Sequence, residues 1–287
     1  MKKLVVVLLL LAMSAGMVFA EDNARRVARQ GILAYAGMST EEYEDFLDDG
    51  LEQNLWKYFR LDDDAYPSYL FDAKDNNVTM FDTVTDMVMA LGADKIDGME
   101  FILPAGKYFL KQNPQKYVTL LQAQGVDYFL SMGFLKGSKW FEPFNSAIKA
   151  MNEDDTILFL TAKYVDYPKA EMKPITFEKY PDAETVKIAI TGDMPPIDYI
   201  AADGTPAGFN TALLAEIGKR LKVNIELLSI NAGARAAALS SGRADGVFWF
   251  WYDKQTKQYR DVPQGVALTE PYYTFDTWLY VGKKISK

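Results

Sequence analysis

The sequence predicts a two-lobed α/β protein, on the strength of a repeated motif, the context of each copy and a linker between them. The segments ALGADKIDG at 90–98 and ALSSGRADG at 238–246 share an Ala-Leu pair and an Asp-Gly pair at the same spacing. Each copy lies where a helical pattern gives way to an apolar extended run, and a helix that leads into a buried strand is half of a βαβ unit. Between the copies, residues 166–185 contain three prolines among charged side chains, which is typical of a linker.

Hydrophobic periodicity assigns the other elements in chain order. Ser39 and Glu42 have the spacing of a capping box ahead of a helix that runs to Phe59. The segment Gly31–Gly37 reads equally well as a strand or as a helix that continues from Asn23. Further along we expect helix Val84–Leu91, strand Met99–Leu103, helices Ser138–Met151 and Thr156–Tyr164, strand Val186–Ile190, a helix from a capping Asn210 to Leu221, strand Val223–Ser229, helix Ala234–Leu239 and strand Val247–Tyr252.

The first twenty residues have the features of an export signal. Lys2 and Lys3 precede the apolar run Leu4–Leu11, and small residues lead to Ala20 ahead of Glu21. The apolar run is shorter than the roughly 20 residues that a membrane span needs. The chain contains no cysteine, which excludes a lipid tether after the signal. We therefore expect cleavage after Ala20 and a free periplasmic protein that is not a lipoprotein.

Composition excludes several function classes. The 287 residues include neither cysteine nor histidine, which removes thiol nucleophiles, disulfides, the usual zinc sites and Ser-His-Asp triads. A net charge of -8 argues against a nucleic-acid partner, because phosphates need a basic surface. The acidic runs 62–64 and 153–155 lack the glycine and terminal glutamate of a calcium-binding EF-hand loop. We expect a monomer with no metal and no cofactor.

Residues 186–284 resemble the first half of an extracellular solute-binding protein of family 3, the polar amino-acid receptors of ABC importers. The matching pieces are IAITGDMPPIDYI, DGTPAGFNTALLAEIGKRL, ALSSGRADG and LTEPYY. Residues 78–165 resemble the second half through TMFDTVTDMVMALGADKIDGMEF, LPAGKYFLKQNP and SMGFLKGSKWFEPFNSAIKAMNEDDTILFLTAKYV. The resemblance implies the type 2 periplasmic-binding fold, with two lobes around a solute cleft, and an ABC-type membrane permease as partner.

The resemblance also implies that the halves are circularly permuted, because the second-half segments come first. Residues 21–165 then form the second-lobe-like region with its return helices, residues 166–185 the linker and residues 186–287 the first-lobe-like region. Surface termini that lie close together make such a rearrangement tolerable. If Gly31–Gly37 is the first strand of the second lobe, Ser39 and Thr40 lie in its ligand loop.

The family's main carboxylate site aligns with unusual residues here. In the family, a strand-end loop offers serine or threonine donors and then an arginine that binds the ligand's α-carboxylate. Those donor positions fall on Trp249, Phe250 and Tyr252, and the arginine position falls on Lys257. Strand alternation sends Trp249 and Trp251 to one face and Phe250 and Tyr252 to the other, so these residues cannot all line the cleft. A buried strand explains the aromatic residues equally well.

Other family positions are also altered. The aromatic residues expected beside the Pro-Pro turn are replaced by Met194 and Ile197. The aspartate that binds the ligand's ammonium group aligns with Ile102, and Glu100 lies two residues earlier as its replacement. These departures weaken the expectation of an ordinary α-amino acid, but they do not affect the expectation of a binding protein.

Arg235 is the strongest candidate for an anion anchor. It follows Asn231-Ala232-Gly233 in the first turn of an alanine-rich helix, where free backbone amides favour anions and a cation is out of place unless something negative approaches. The alternative is a solvated surface arginine. Asp193, in the turn after strand Val186–Ile190, is the companion polar candidate, or else a turn residue that bonds its own backbone.

The predicted function is that of a periplasmic receptor that closes two lobes on a small anionic or amino-acid-like solute for import. Two alternatives remain open. The same scaffold supports dehydratase-like enzymes, in which a cleft carboxylate such as Glu100 or Asp193 acts as acid or base. It also supports a ligand-sensing module without transport. Because histidine and paired carboxylates are absent, the sequence favours the non-catalytic receptor.

Overall fold

The computed structural model describes residues 26–27, 29–33, 57–59, 69–70, 78–167, 174–253, 258–260 and 262–284. The predicted export signal, the capping box at Ser39 and Glu42, and the candidates Ser39, Thr40 and Lys257 lie outside these residues.

Short strands and helices alternate along the described chain. The strands are β1 (Arg26–Val27), β2 (Gln30–Leu33), β3 (Lys57–Phe59), β4 (Tyr69–Leu70), β5 (Val78–Phe81), β6 (Gly98–Ile102), β7 (Tyr117–Leu135), β8 (Thr185–Ile190), β9 (Asp193–Met194), β10 (Asp198–Ile200), β11 (Pro206–Ala207), β12 (Asn224–Ser229), β13 (Gly246–Asp253), β14 (Gln258–Arg260), β15 (Val266–Leu268) and β16 (Tyr273–Lys283). The helices are α1 (Val84–Gly92), α2 (Leu103–Gln112), α3 (Phe141–Glu153), α4 (Thr156–Thr161), α5 (Phe209–Leu221) and α6 (Arg235–Ser240). A π-helical turn, Ala162–Asp166, follows α4, and a 3₁₀ turn, Ala232–Ala234, precedes α6.

The main sheet consists of two parallel groups joined by two antiparallel strands. Its order is β12-β8-β13-β7-β16-β6-β2-β5. Strands β8, β12 and β13 form one parallel group, the C-terminal lobe, and β2, β5 and β6 form the other, the N-terminal lobe. The connecting strands β7 and β16 run antiparallel to each other and to their outer neighbours. The predicted two-lobed α/β fold is therefore confirmed.

Both lobes use the same strand order. In each, the first strand along the chain is central, the second is outermost and the third lies beside a connecting strand. The connecting strand beside each lobe arrives from the other lobe: β7 follows the N-terminal lobe along the chain and pairs with β13, and β16 follows the C-terminal lobe and pairs with β6. The chain thus crosses between the lobes twice, through two strands that are hydrogen-bonded to each other.

The repeated Asp-Gly motif has the same structural role in both lobes. The backbone N–H of Asp97 donates to the carbonyl oxygen of Arg29 at 2.8 Å, and the Asp97 carboxylate accepts from the backbone N–H of Arg29 at 2.9 Å. In the C-terminal lobe, Asp245 makes both bonds with Lys187, each at 2.8 Å. Each aspartate therefore joins the start of the third strand to the first strand of its lobe.

The segment after β7 packs on the C-terminal lobe. Helices α3 and α4 lie against α5, and Arg220 of α5 pairs with Asp154 at 2.9 Å and donates to the Thr156 hydroxyl at 2.8 Å. The buried face of α3 carries Phe144, Ile148 and Met151 into the core, as the helical periodicity predicts. No helix among the described residues combines the length and apolar character that crossing a membrane requires.

The structure corrects the predicted cap of helix α5 and decides between the two alternatives for the start of segment Gly31–Gly37. Helix α5 begins at Phe209, so the prediction that Asn210 caps it is wrong; the N-cap is Gly208, at φ 95°. A Cβ at Gly208 would lie 2.7 Å from the carbonyl oxygens of Pro196 and Ile197, so glycine alone is accommodated there. Of the two alternatives for Gly31–Gly37, the strand holds for Gly31–Leu33, which belong to β2; residues 34–37 lie outside the described part of the chain.

Candidate functional site

A narrow cavity of about 90 Å³ lies between the lobes, beside the connecting strands. Because the parallel strands of both lobes end here, the cavity occupies the place where α/β sheets bind ligands. The C-terminal lobe contributes Thr191, Met194, Ala232, Arg235, Trp249 and Trp251; the N-terminal lobe contributes Leu33, Glu100, Phe101 and Ile102; and the connecting strands contribute Leu130, Phe275 and Trp278. The structure thus brings Arg235, Met194, Trp249 and Glu100 together from distant parts of the sequence.

A bulge in β13 decides which aromatic side chains reach the cavity. The pairing of β13 with β7 shifts register between Val247 and Phe250, and Trp249 has φ 71°, in the left-handed region that bulky residues rarely adopt. Val247 and Phe250 consequently pack in the same cluster on one side of the sheet. Trp249 and Trp251 both line the cavity on the other side.

Two of the aligned donor positions lie elsewhere. The described lining of the cavity does not include Phe250 or Tyr252. Phe250 is fully buried, and its ring lies against Gly133 of β7, where an added Cβ would be 2.1 Å from the ring. Trp249 and Trp251 lie on the opposite side of β13 from Phe250, as the predicted alternation requires. Because of the bulge, the two tryptophans also lie on the opposite side from Val247.

Arg235 is buried in the cavity wall, and the alternative of a solvated surface arginine is wrong. Only 4% of the residue is exposed. Its Nε donates to the carbonyl oxygen of Ala232 at 2.9 Å, and its Nη1 donates to the carbonyl oxygen of Trp249. The guanidinium carbon lies 5.8 Å from the centre of the Phe250 ring, within reach of a cation–π interaction. Arg235 therefore fixes the 3₁₀ turn and the bulge together at the cavity.

Asp193 reaches across the cleft to the other lobe. Its Oδ2 accepts a hydrogen bond at 2.8 Å from the backbone N–H of Val84, the first residue of α1. A carboxylate at a helix start is stabilised by the free amides there. Burial is the main cause that raises the pKa of Asp193 above its ordinary value. A second link, from the backbone N–H of Ala232 to the carbonyl oxygen of Asp82 at 3.2 Å, also joins the lobes.

Glu100 lies on the N-terminal side of the cavity and is 6% exposed. The Tyr280 hydroxyl of β16 donates to its Oε2. The carboxyl group therefore faces the cavity wall from β6 while a connecting strand holds it in place.

Asp198 is a polar residue that the sequence reasoning missed. It is fully buried, and its carboxylate accepts from the backbone N–H of Thr191 at 3.3 Å, the backbone N–H of Gly192 at 3.2 Å and the Trp249 indole at 3.0 Å. Burial raises the pKa of Asp198 to about 6. Asp198 thus holds both the loop after β8 and the bulged tryptophan at the cavity. An aspartate directly after an apolar Pro-Pro turn is the sequence signal for it.

The connecting strand β16 supplies cavity residues that no motif indicated. The Phe275 and Trp278 rings contact each other edge to face at 5.0 Å, and Trp278 contacts Trp251 at 5.7 Å. The Trp278 indole nitrogen is buried and has no hydrogen-bond partner among the described residues. These rings close the inner end of the cavity, which is smaller than the about 300–1,000 Å³ typical of ligand pockets.

Comparison with known structures finds matches at low similarity. One is the ligand-binding component of an ABC-type import system from Staphylococcus aureus with zinc bound, with a TM-score of 0.39, 16% identity and coverage of 90% of this chain and 66% of that one. Another is the periplasmic binding protein AgaA of A. tumefaciens R10 with agropinic acid, with a TM-score of 0.38, 13% identity and coverage of 80% and 61%. The chain spans just under two thirds of both proteins. A third is the OxyR regulatory domain from Pseudomonas aeruginosa, with a TM-score of 0.37, 9% identity and coverage of 93% and 92%.

Sequence comparison gives a more specific match. No curated protein sequence matches the chain. Residues 186–286 match the family model for bacterial extracellular solute-binding proteins, family 3. This segment begins with β8 and includes the C-terminal lobe and the connecting strand β16. Over this part, about a third of the chain, the predicted resemblance is confirmed: residues 186–286 match the model of that family.

Proposed function

We propose that this protein is a periplasmic receptor that captures a small anionic or amino-acid-like solute between its lobes and delivers it to an ABC-type permease. The observation that carries the proposal is the cavity at which strand ends from both lobes meet, beside two strands that cross between them. Such a geometry suits capture by closure of the lobes, because a small rotation about the connecting strands changes the cavity. The family match of residues 186–286 supports the same conclusion.

The chemistry of the cavity wall supports a solute with a carboxylate. Arg235 brings a guanidinium to the wall, and guanidinium groups bind carboxylates through two parallel hydrogen bonds. Glu100, which lies on the facing lobe, is suited to bind an ammonium group of the solute. Met194 and Trp249 supply apolar surface. Asp193 acts from the rim, where it bridges to α1. Lys257, Ser39 and Thr40 remain predicted contacts of the solute. Phe250 and Tyr252 belong to β13 and are proposed to stabilise this strand instead of binding the solute.

We also propose that the two halves are circularly permuted relative to the family. The chain path supports this proposal, because the segment resembling the family's second half comes first. The proposal includes export with cleavage after Ala20 and no lipid tether. The receptor acts as a monomer without catalysis and without a nucleic-acid partner.

A stabilisation screen combined with product analysis tests the receptor function. The protein from residue 21 onward is heated with amino acids, organic acids and short peptides, and each stabilising solute is then recovered and identified by mass spectrometry. We expect at least one solute to raise the melting temperature and to be recovered unchanged. X-ray scattering at saturation is expected to show a smaller radius of gyration than that of the free protein, because a solute that bridges the lobes favours closure.

Two results would contradict the proposal. Chemical conversion of a stabilising solute would identify an enzyme rather than a receptor. A tightly bound solute that leaves the scattering profile unchanged would exclude capture by closure between the lobes.

A further inference from the structure

A second and much larger groove lies outside the cavity described above. It has a volume of about 870 Å³, within the range typical of small-molecule sites. One wall is a single face of α2 in the N-terminal lobe, and the opposite wall includes Pro196 and Tyr199 of the C-terminal lobe. The floor is the connecting strand β16 from Tyr273 to Thr277. Among the residues that the structure describes, Phe275 alone lines both this groove and the narrow cavity.

The positive and negative charges of the groove lie on different elements of the structure. Lys107 and Lys111, one helical turn apart on α2, are exposed and form no ion pair with other described residues. The groove's carboxylates come from the other side: Asp166 follows α4, and Asp276 lies on β16. Asp276 is held in place by the Gln124 side chain at 2.9 Å and the Thr277 hydroxyl at 2.7 Å. A solute in the groove therefore meets cations on the α2 wall and anions away from that wall.

Tyrosine side chains lie between the charged walls. The rings of Tyr108 and Tyr199 approach each other to 6.3 Å from opposite lobes, and Tyr273 forms part of the floor. Burial raises the pKa of Tyr199 and of Tyr273, so both phenols stay protonated and can donate hydrogen bonds. Such rings offer flat apolar surface together with a polar edge.

We propose that this groove is a binding site for short peptides with free termini. The lysine wall receives the terminal carboxylate, the aspartate side receives the terminal ammonium group, and the tyrosine rings contact the residues between them. The facing aspartates disfavour a compact polyanion such as citrate. A neutral saccharide would use the rings but not the separated charges.

Equilibrium dialysis with defined mixtures tests this site. The mature protein is dialysed against an equimolar mixture of tripeptides, against the same mixture with acetylated amino termini and against the mixture with amidated carboxyl termini. Maltotriose and citrate serve as neutral and polyanionic probes. We expect retention of the free tripeptides and about tenfold weaker retention of either blocked mixture, with binding that weakens as salt is added.

Charge reversal on α2 locates the bound peptide. Lys107→Glu combined with Lys111→Glu is expected to reduce tripeptide retention about tenfold or more, while Lys95→Glu, an exposed lysine of the same lobe outside the groove, leaves it unchanged. Tripeptide binding that survives the double reversal places the peptide outside the groove; it overturns the groove site and leaves the receptor function intact. Equal retention of free and blocked peptides, or preference for maltotriose or citrate, also overturns the proposal.

Discussion

Asp198 links the stability of the molecule to the geometry of its cavity. Its carboxylate is fully buried, and its pKa is raised from 3.8 to about 6. The folded state therefore binds a proton at pH values at which the unfolded chain has already lost it. Consequently, the contribution of this group to the free energy of unfolding is largest below pH 4 and declines as the pH rises through 6.

Replacement by asparagine removes this pH dependence. Between pH 4 and pH 7, the free energy of unfolding of the parent should fall relative to that of Asp198→Asn by about 2–3 kcal/mol. Urea unfolding at a series of pH values measures this difference, and other carboxyl groups cancel because both proteins share them. A difference that is constant with pH would show that the Asp198 pKa is not raised by folding.

Arg235 is expected to dominate solute binding, although it also supports the wall. Arg235→Lys keeps the charge but loses the planar fork that binds a carboxylate and the Trp249 carbonyl together. We expect it to weaken binding of a stabilising solute by about tenfold, as measured by calorimetry. Lys257→Ala should weaken binding less than Arg235→Lys does. The reverse result would mean that the family's usual anchor position is retained, with lysine in place of arginine.

At the scale of elements, helix α1 of the N-terminal lobe contacts the other lobe through its first residue. Asp193 accepts from its first backbone amide, while Thr83 caps the helix from within its own lobe. Asp193→Ala should lower the free energy of unfolding by about 1 kcal/mol, the usual effect of losing a side chain that caps a helix start. It should also enlarge the solute-free protein in X-ray scattering, because one link between the lobes is lost.

Asp193→Asn serves as the matched control. The amide oxygen still accepts the Val84 bond, so the scattering profile should remain close to that of the parent. If both variants scatter like the parent, the contact does not hold the lobes together in solution.

The elements that follow from local pattern were predictable, and those set by distant contacts were not. The Asp97 and Asp245 motifs, the strands after them and helix α5 follow from periodicity and spacing. The bulge at Trp249 could not be predicted, because a positive φ in a tryptophan depends on the Asp198 carboxylate, 51 positions away. Arg235 could be recognised as unusual from its place at the start of a helix. Its burial against Ala232 and Phe250 could not be foreseen.

For the whole molecule, the start of β2 lies close to the end of β16. Gln30 at the start of β2 pairs with Gly98, and Val281 near the end of β16 pairs with Met99, so that only β6 separates them. Two strand spacings amount to roughly 10 Å. A short connection could therefore join the end of β16 to the start of β2 without strain.

This proximity allows a direct test of the permuted order. We expect a variant that starts at residue 174, continues to 284, and is then joined by a glycine-serine linker to 26–167 to fold with the parent's circular dichroism spectrum. It should also bind the same solutes with similar affinity. A matched variant opened within α5 should fail, because that break interrupts a buried helix. Failure of the first variant would argue that the present chain order is required for the fold.

The position of β16 has a consequence for how the molecule is made. This strand completes the N-terminal lobe by pairing with β6 from Trp278 to Val281, yet a ribosome synthesises it after all other described strands. The half that is translated first is therefore finished last, whereas the strands of the C-terminal lobe emerge without interruption. Until then β6 presents an open hydrogen-bonding edge, the kind of surface on which nascent chains aggregate. Because export is proposed for this chain, we expect a chaperone that shields unfolded polypeptides during export to bind at this edge.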